Sequence, residues 1–318
     1  MLATRRAVID IGTNSVKLLV AEVAGLVVNP LWEESQQTRL GRGFYETHQL
    51  QAEPIASTAR AVTKFAATAR AWQAVSLRVI ATSAARDAVN SQDLLSAIHA
   101  AAGLPVEIIS GEQEADWAFQ GVTTDPELAK HPLLLLDVGG GSTEFILGHG
   151  THQDFRHSFP LGTVRLLEKT PPSDPPTPGE LAACRKWLRE FLRDQVRPKL
   201  EGELRQERQF DPAHRRVQLV GTGGTTAILA RIEASMADYD RARIEATRLK
   251  LDRVQWQVQR LWSLPLAERR DIIGLPKNRA DVILSGGAIY EAVMEEFDFA
   301  ELRVTTRGLR FAAVMAGV

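Results

Sequence analysis

The amino-acid sequence predicts an α/β protein whose two halves share one plan. Residues 7–23 and 133–148 each consist of an apolar strand ending in Asp, a turn of Gly and hydroxyl residues, and a second apolar strand. Helical segments alternate with strands in both halves, which is typical of α/β folds. The length of 318 residues also favours two domains. We therefore expect a duplicated α/β architecture.

In the first half, apolar patterning predicts three strands followed by alternating helices and strands. Pro54 and Ser91 mark two helix starts, and Gly103 follows a helix end. Ser110 and Gln113 have the spacing of a capping box. The predicted elements are strands 6–11, 16–23 and 26–33, helix 54–71, strand 76–81, helix 91–101, strand 105–109 and helix 110–122. In the last helix, the i, i+3, i+4, i+7 spacing predicts a buried face of Ala115, Ala118, Phe119 and Val122.

The second half begins after a polar segment, residues 124–132, that contains two prolines. We predict domains 1–127 and 128–306, with a C-terminal helix 307–318 that joins the first domain. A capping box of Thr177 and Glu180 predicts the start of one helix. The other predicted elements are strands 133–137, 142–148 and 151–159, a proline-rich loop 170–179, strand 216–220, a helix after the turn 221–225, a helix near 279–296 and strand 302–306.

The composition excludes several classes of protein. The formal net charge is −1, so no global positive field would attract nucleic acid or a membrane surface. Cys184 is the only cysteine, which rules out a disulfide within the chain and favours the reducing cytoplasm. Asp10, Asn14 and Lys17 interrupt the first apolar run, so we do not interpret it as a signal peptide. We find no run of about 18 apolar residues that would predict a membrane span.

The two glycine turns have the chemistry of anion-binding sites. Glycine lets the backbone approach an anion closely, and successive N–H groups in such a turn form an anion-binding concavity. An Asp ends the preceding strand in each half, Asp10 in the first and Asp137 in the second, and either could hold Mg²⁺ against phosphate. Because α/β sheets bind ligands at the carboxyl ends of their strands, we expect two half-sites facing an interdomain cleft.

Eight short segments span nearly the whole chain: I-D-I-G-T-N-S-V-K-L-L-V (9–20), T-R-L-G-R-G (38–43), A-T-S-A-A-R-D-A-V-N (81–90), E-I-I-S-G-E-Q-E-A (107–115), L-D-V-G-G-G-S-T-E (136–144), G-T-G-G-T (221–225), R-A-D-V-I-L-S-G-G-A (279–288) and G-L-R (308–310). In this order they resemble the Ppx/GppA phosphatase family, which contains exopolyphosphatases and guanosine pentaphosphate phosphohydrolases. The resemblance implies an actin/hexokinase-like ATPase fold, of the ribonuclease H-like kind. The chain departs from the family pattern at Lys17, at Arg42 and in G-L-R-F-A (308–312), where the family commonly has Arg, Glu and G-L-R-E-G.

Hydrolysis of a terminal phosphate requires a positioned water, a base and charge neutralisation. The resemblance implies that Glu114 is the catalytic glutamate, whereas Glu112 would stabilise the first helical turn. Arg86 is the preferred cation because a guanidinium matches phosphate bidentately; the alternative is a surface pair with Asp87. Glu144, next to the second glycine turn, is a third catalytic candidate, unless it is only an exposed strand residue.

The predicted phosphate ligands come from three turns: Thr13, Asn14 and Ser15; Gly139, Gly140, Gly141, Ser142 and Thr143; and Gly223, Gly224 and Thr225, which begin a helix. Asp137 is the predicted Mg²⁺ ligand, with Asp10 as its counterpart for metal or water positioning. Alternatively, Asp137 only caps its own turn. The seven histidines show no metal-binding spacing, since His152 and His157 are expected on opposite faces of one strand.

We therefore expect an exopolyphosphatase that uses Mg²⁺ and a Glu-activated water to release orthophosphate from polyphosphate. Without the C-terminal domains of longer family members, shorter chains are expected substrates. One alternative is hydrolysis of the 5′ γ-phosphate of guanosine pentaphosphate. Others are an ATPase or kinase of the same fold, or a non-enzymatic nucleotide sensor, which would lack one of the carboxylates. The expected partners are inorganic polyphosphate or guanosine pentaphosphate, and we expect no binding to nucleic acid or to a membrane. A homodimer is the oligomeric state to test.

Overall fold

The computed structural model describes residues 2–210 and 216–316. Contacts divide the chain into two units. The first comprises the chain up to Thr124 together with the segment from Arg307 onward, and the second comprises Asp125–Thr306. The second unit thus begins slightly before the predicted boundary at 127/128. The local reason is that the Asp125 side chain caps a short helix whose Leu128 is buried.

The first unit is built on a five-stranded sheet. Its elements are β1 (Thr4–Ile11), β2 (Ser15–Ala24), β3 (Val27–Gln37), α1 (Ala52–Ala71), β4 (Ser76–Ala81), α2 (Ser83–Asp87), α3 (Ser91–Ala102), β5 (Glu107–Ile108) and α4 (Gly111–Val122). The strand order is β3-β2-β1-β4-β5. The first three strands form an antiparallel meander, as predicted, and β4 and β5 continue the sheet parallel to β1.

Alternation along β1 gives this sheet two apolar faces. Ile9 and Ile11 belong to a core that includes Phe65 of α1, whereas Val8 belongs to a second core that includes Trp117 of α4. Successive side chains of a strand point to opposite faces, so both faces of the sheet need a helical cover. The predicted buried face of α4 is confirmed.

The second unit is built on a six-stranded sheet. Its elements are α5 (Pro126–Ala129), β6 (Leu133–Val138), β7 (Thr143–His149), β8 (His152–Phe159), α6 (Thr163–Lys169), α7 (Pro178–Phe191), a π-helical turn (Leu192–Val196), α8 (Arg197–Phe210), β9 (Gln218–Thr222), α9 (Gly223–Glu233), α10 (Arg241–Ala246), β10 (Arg248–Lys250), α11 (Leu251–Ser263), α12 (Leu266–Arg269), a 3₁₀ turn (Lys277–Arg279), α13 (Ile283–Glu296) and β11 (Glu301–Val304). The strand order is β10-β11-β9-β6-β7-β8, with β6, β9 and β11 parallel. The β6–β7–β8 meander repeats β1–β2–β3, which is the duplication that the sequence predicts.

The last helix, α14 (Leu309–Met315), belongs to the first unit. The predicted helix 307–318 is longer, and its residues 317 and 318 lie outside the described residues. Other elements are also shorter than predicted. The strand predicted at 105–109 is limited to β5, because Pro105 lacks the N–H that pairing requires. The helix near 279–296 begins only at Ile283, after the 3₁₀ turn. Among the described residues, no helix has both the length and the apolarity to cross a bilayer.

Candidate active site

The predicted site residues of the first unit follow the carboxyl ends of its parallel strands. Strands β1 and β4 end side by side, with Ile11 opposite Ala81. The turn 12–15 follows β1, α2 with Arg86 follows β4, and α4 with Glu114 follows β5. The topology therefore brings them to one edge of the sheet, the edge where α/β sheets bind ligands.

The turn after β1 is tightly packed. Thr13, Asn14 and Ser15 are all buried. Gly41 donates its N–H to the Thr13 carbonyl at 2.7 Å, and a Cβ on Gly41 would lie 2.3 Å from Thr13 Cγ2. Asn14 Oδ1 accepts a hydrogen bond from Gln37 Nε2 at 3.1 Å, but Asn14 Nδ2 is a buried donor with no partner among the described residues. An unsatisfied buried donor is costly, so a ligand that accepts from Asn14 would relieve that cost.

Asp10 lies at the end of β1 and is buried. Burial raises the pKa of Asp10, and the positive charges of Lys17 and Arg310 only partly oppose this effect. Lys17 is its cross-strand partner on β2. The site thus penalises the ionised form of Asp10 unless a positive charge lies close to it.

Glu114 and Arg86 contact each other directly, which the sequence did not predict. Arg86 Nη1 donates to Glu114 Oε2 at 3.0 Å and to the Ile109 carbonyl at 3.0 Å. The expected alternative partner, Asp87, is more distant, with Oδ1 3.9 Å from Arg86 Nε. Glu114 is only 8% exposed. The two strongest catalytic candidates of the first unit thus form one ion pair, in which Glu114 is buried and the Arg86 side chain is 23% exposed.

The start of α4 fixes the orientation of this pair. Ser110 Oγ accepts a hydrogen bond from the Gln113 N–H at 3.1 Å, which gives half of the predicted capping box. The other half is not formed, because the Gln113 side chain donates to Asp116 at 3.4 Å. Glu112 is exposed whereas Glu114 is buried. The helix therefore separates the two glutamates as their predicted roles require.

In the second unit, the glycine turn between β6 and β7 is held by α6. Gly139 donates its N–H to the Ser142 carbonyl at 2.9 Å, and the Gly140 carbonyl accepts the N–H of Arg165 at 3.1 Å. Gly162 lies so close that a Cβ on it would be 2.4 Å from the Gly140 oxygen. Contacts from the first turn of α6 therefore fix the backbone conformation of the glycine turn.

Two carboxylates lie next to this turn. Asp137 and Glu144 are opposite each other on β6 and β7. A Cβ on Gly223, whose φ of +89° favours glycine, would lie 2.7 Å from Asp137 Oδ1. Glu144 is 1% exposed and accepts a hydrogen bond from Ser158 Oγ at 2.7 Å, so it is not the exposed strand residue of the alternative interpretation. Burial raises the pKa of Tyr290, and the charges of both carboxylates add to that shift.

The start of α9 lies beside these carboxylates. It carries Gly223, Gly224 and Thr225, whose N–H groups begin the helix, and a helix N-terminus attracts anions. The guanidinium of Arg279 is close, since a Cβ on Gly224 would lie 3.8 Å from Arg279 Nη2. Helix α13 packs on the same turn, where a Cβ on Gly286 would lie 2.6 Å from Thr225 Cγ2.

Three residues of this site were missed at the sequence level. Arg165 Nε donates to the Gly141 carbonyl at 2.8 Å. Tyr290 donates its hydroxyl to the Leu136 carbonyl at 3.4 Å, below the end of β6. Arg279 is the first residue of the family-like segment R-A-D-V-I-L-S-G-G-A, and its place in that segment could have marked it as a site residue. For Arg165 and Tyr290 the sequence offered none, because their roles depend on packing between distant segments.

The departure G-L-R-F-A in α14 lies in the core. Phe311 and Ala312 are 1% and 2% exposed. Arg310 Nη1 donates to the Leu18 carbonyl at 2.9 Å and its Nη2 is 3.7 Å from Glu33 Oε1. An apolar side chain at position 311 therefore packs with the other core residues of this face of the sheet.

Comparison with known proteins identifies the family of the chain. The model of the Ppx/GppA phosphatase family matches residues 19–315. The chain belongs to this family. Exopolyphosphatase 2 of Mycobacterium tuberculosis is 36% identical over 314 residues, which cover 93% of this chain and 92% of that protein. An uncharacterised protein of Streptomyces coelicolor is 30% identical over 295 residues, which cover 92% of this chain and 83% of that protein. The chain is thus an enzyme of the Ppx/GppA phosphatase family.

Solved structures of Ppx/GppA proteins share its fold. An exopolyphosphatase from Cytophaga hutchinsonii is 25% identical with a TM-score of 0.85, over 97% of this chain and 96% of that chain. The Aquifex aeolicus PPX-GPPA enzyme is 28% identical with a TM-score of 0.78, over 99% of this chain and 100% of that chain. The predicted actin/hexokinase-like α/β fold is confirmed.

Proposed function

We propose that this chain is an exopolyphosphatase that hydrolyses the terminal phosphoanhydride bond of inorganic polyphosphate and releases orthophosphate. The observation that carries the proposal is the pair of buried Glu114 and partly buried Arg86, whose Oε2 and Nη1 atoms are 3.0 Å apart at the carboxyl edge of the first sheet. The similarity to the exopolyphosphatase of Mycobacterium tuberculosis supports polyphosphate as the substrate.

In this proposal, Glu114 acts as the base. Its carboxylate accepts a proton from a water whose oxygen attacks the terminal phosphorus in line with the leaving oxygen. The bond to the bridging oxygen breaks, and its electron pair stays on the shortened chain. Arg86 keeps Glu114 in place and binds the terminal phosphate, since a guanidinium has five N–H donors and suits phosphate oxygens.

The turns of each unit are proposed to bind phosphate groups. Backbone N–H groups of 139–143 and of 223–225 are suited to phosphate oxygens. In the first unit, the residues 13–15 would do the same, and the unpartnered Asn14 Nδ2 supplies a donor. Glu144, buried beside the glycine turn of the second unit, is the second candidate for activating the water.

The carboxylates fit a divalent metal. Asp137 would hold Mg²⁺ in the second unit, since carboxylate oxygens are preferred ligands of this ion. Gly223 leaves room for the Asp137 carboxylate, because a Cβ at position 223 would lie only 2.7 Å from Asp137 Oδ1. Asp10, which is buried at the end of β1, is the corresponding candidate ligand in the first unit. When bound, Mg²⁺ would neutralise charge on the phosphates.

Phosphate release from several substrates tests the proposed function. We would measure it with polyphosphate of several lengths, guanosine pentaphosphate and ATP, with and without Mg²⁺. We expect the highest kcat/KM with polyphosphate. A preference for guanosine pentaphosphate would instead assign the alternative activity of the family. ADP formation that depends on an added acceptor would indicate a kinase and contradict the proposal.

The substitution Arg86→Ala should raise KM for polyphosphate and lower kcat, because a bidentate contact to phosphate is lost. Arg86→Lys should restore activity only partly, since an ammonium lacks the planar fork. The exposed Arg70 on α1 is a matched control, and Arg70→Ala should leave both constants unchanged. If Arg86→Lys equals the wild type with every substrate, Arg86 is not a bidentate phosphate ligand.

Removal of the metal should stop turnover, and Asp137→Asn should raise the Mg²⁺ concentration needed for half-maximal activity or abolish activity. The reason is that an amide binds Mg²⁺ more weakly than a carboxylate. Asp252→Asn, an exposed Asp in the first turn of α11, is the control and should change neither quantity. Full activity in excess chelator would rule out the proposed metal.

We place the reaction in the cytoplasm. Cys184 is buried, and burial raises the pKa of its thiol to about 12. Such a thiol is protected from oxidation, and a chain with a single cysteine suits a reducing compartment.

A further inference from the structure

A cluster of histidine and carboxylate side chains lies at the far end of β7 from the glycine turn. His149 offers an imidazole nitrogen, and Asp154 and Glu207 each offer a carboxylate oxygen. These three atoms lie within 4.8 Å of one another. His152 is paired with His149 across the β7–β8 hairpin, and its Nε2 is 3.0 Å from Asp154 Oδ1. β7 has seven residues, so this end is about 20 Å from Thr143. The cluster is therefore separate from the candidate active site.

A β-bulge brings Asp154 into the cluster. Gly148 is paired with Gln153, and the next β7 residue, Leu147, is paired with Phe155. Asp154 thus has no partner residue on β7. A bulge of this kind changes the direction of a side chain relative to regular strand alternation. Strand periodicity alone gives no indication of the cluster for this reason.

Helix α8 supplies the fourth side chain. Glu207 Oε1 is 3.9 Å from His149 Nδ1. Another contact holds α8 against β8, where Lys199 Nζ is 3.0 Å from His157 Nε2. The Glu207 side chain is 19% exposed and the His149 side chain is 49% exposed. The cluster thus combines three elements and is open to solvent on the imidazole side.

We propose that His149, His152, Asp154 and Glu207 bind a divalent transition metal ion, with zinc as the reference ion. Zinc is bound by imidazole nitrogen and carboxylate oxygen, usually with four ligands. Mg²⁺ prefers oxygen ligands alone, so this site differs in metal class from the carboxylates of the active site. Tetrahedral ligands at 2.0–2.2 Å from zinc lie roughly 3.3–3.6 Å apart. Glu207 Oε1 and His149 Nδ1 are 3.9 Å apart, and the ligand atoms of His149, Asp154 and Glu207 all lie within 4.8 Å of one another, so ion binding would draw these side chains closer together.

The bound ion would tie the β7–β8 hairpin to α8. A ligand that binds only the folded state raises its stability by mass action. No step of the proposed hydrolysis uses these four side chains, because they lie at the opposite end of β7 from Glu144. The expected role of the site is therefore stabilisation of the second unit.

Titration of the full chain with zinc chloride tests this site. The protein carries no affinity tag, the buffer contains no phosphate, and calorimetry and thermal unfolding are measured together. We expect one saturable site and a higher Tm with zinc. His149→Ala and Glu207→Gln should each weaken binding at least about tenfold, since even partners that only orient a metal ligand contribute 10–100-fold.

Two controls make the result specific. The exposed His99 on α3 lies outside the cluster, and His99→Ala should bind zinc as the wild type does. Asp137→Asn should also bind zinc normally, which separates this site from the proposed Mg²⁺ ligand. Without zinc, His149→Ala should release phosphate at the wild-type rate. The proposal is overturned if zinc shows no saturable binding, if both cluster variants bind it normally, or if Asp137→Asn abolishes it.

Discussion

Glu114→Gln is expected to lower kcat for polyphosphate roughly 10²–10⁴-fold, because a positioned general base contributes a factor of that size. This corresponds to about 3–5 kcal/mol of activation free energy. The amide keeps the shape of the carboxylate, and its oxygen can still accept a hydrogen bond from Arg86, but it cannot take a proton from water. KM and Tm should therefore change little. Steady-state kinetics and thermal unfolding of the purified variant measure all three quantities.

Glu112→Gln is the matched control, because Glu112 lies in the same helical turn but is exposed. It should cost only a few tenths of a kcal/mol of stability, through a weaker interaction with the helix dipole, and leave kcat nearly unchanged. If Glu112→Gln is the inactive variant, the assignment of the base within S-G-E-Q-E-A is wrong. If neither variant is impaired, another group activates the water, and Glu144→Gln is the next variant to measure.

The fold could be predicted from the sequence because its main signals are local. The apolar strands 6–11 and 133–137, with their glycine turns, depend on neighbouring residues alone, and the structure places β1 and β6 there. The capping box at Thr177 is likewise formed by residues three positions apart. One exception is β5, where Pro105 shortens a strand that apolarity alone would extend.

The contacts of the candidate site could not be predicted in the same way. Arg86 and Glu114 are 28 positions apart, and only the alignment of parallel strand ends brings them together. Arg165 reaches the glycine turn because Gly162 permits a close approach of two backbones. Asp154 joins the histidine cluster through a bulge, which breaks the two-residue periodicity on which strand predictions rest. In each case, the deciding fact is a contact between elements and not a property of either segment.

Arg185→Ala is expected to lower the free energy of unfolding by about 3 kcal/mol at neutral pH. Arg185 on α7 binds Glu291 on α13 bidentately, at 2.8 Å from Nε to Oε2 and 2.6 Å from Nη2 to Oε1. Glu291 is 1% exposed, so the variant leaves a carboxylate buried without this partner. Removing one member of a buried pair costs about 3–5 kcal/mol. We expect the lower end because Arg185 is 29% exposed. Helix α13 also supports the start of α9 through Gly286, so activity should be lost at lower temperatures.

The pH dependence of this loss distinguishes a buried charge from lost packing. Burial already raises the pKa of Glu291, although the hydrogen bonds and charge of Arg185 act to lower it. Without Arg185 the pKa of Glu291 rises further, so the folded variant favours the protonated carboxyl group. The free energy of unfolding of the variant therefore falls as pH increases from the ordinary pKa of Glu through the raised pKa of Glu291 in the folded state. Denaturant titrations at about pH 5 and about pH 8 should therefore show the larger deficit at the higher pH.

Two variants complete the test of this pair. Lys186→Ala, an exposed neighbour on α7, should stay within about 0.5 kcal/mol of the wild type at both pH values. The double variant Arg185→Met/Glu291→Leu should recover most of the stability, since replacing a buried ion pair by apolar residues of similar volume is often neutral or stabilising. A deficit of Arg185→Ala that does not change with pH, or a double variant as unstable as the single one, would show that side-chain packing and not the Glu291 charge determines the loss.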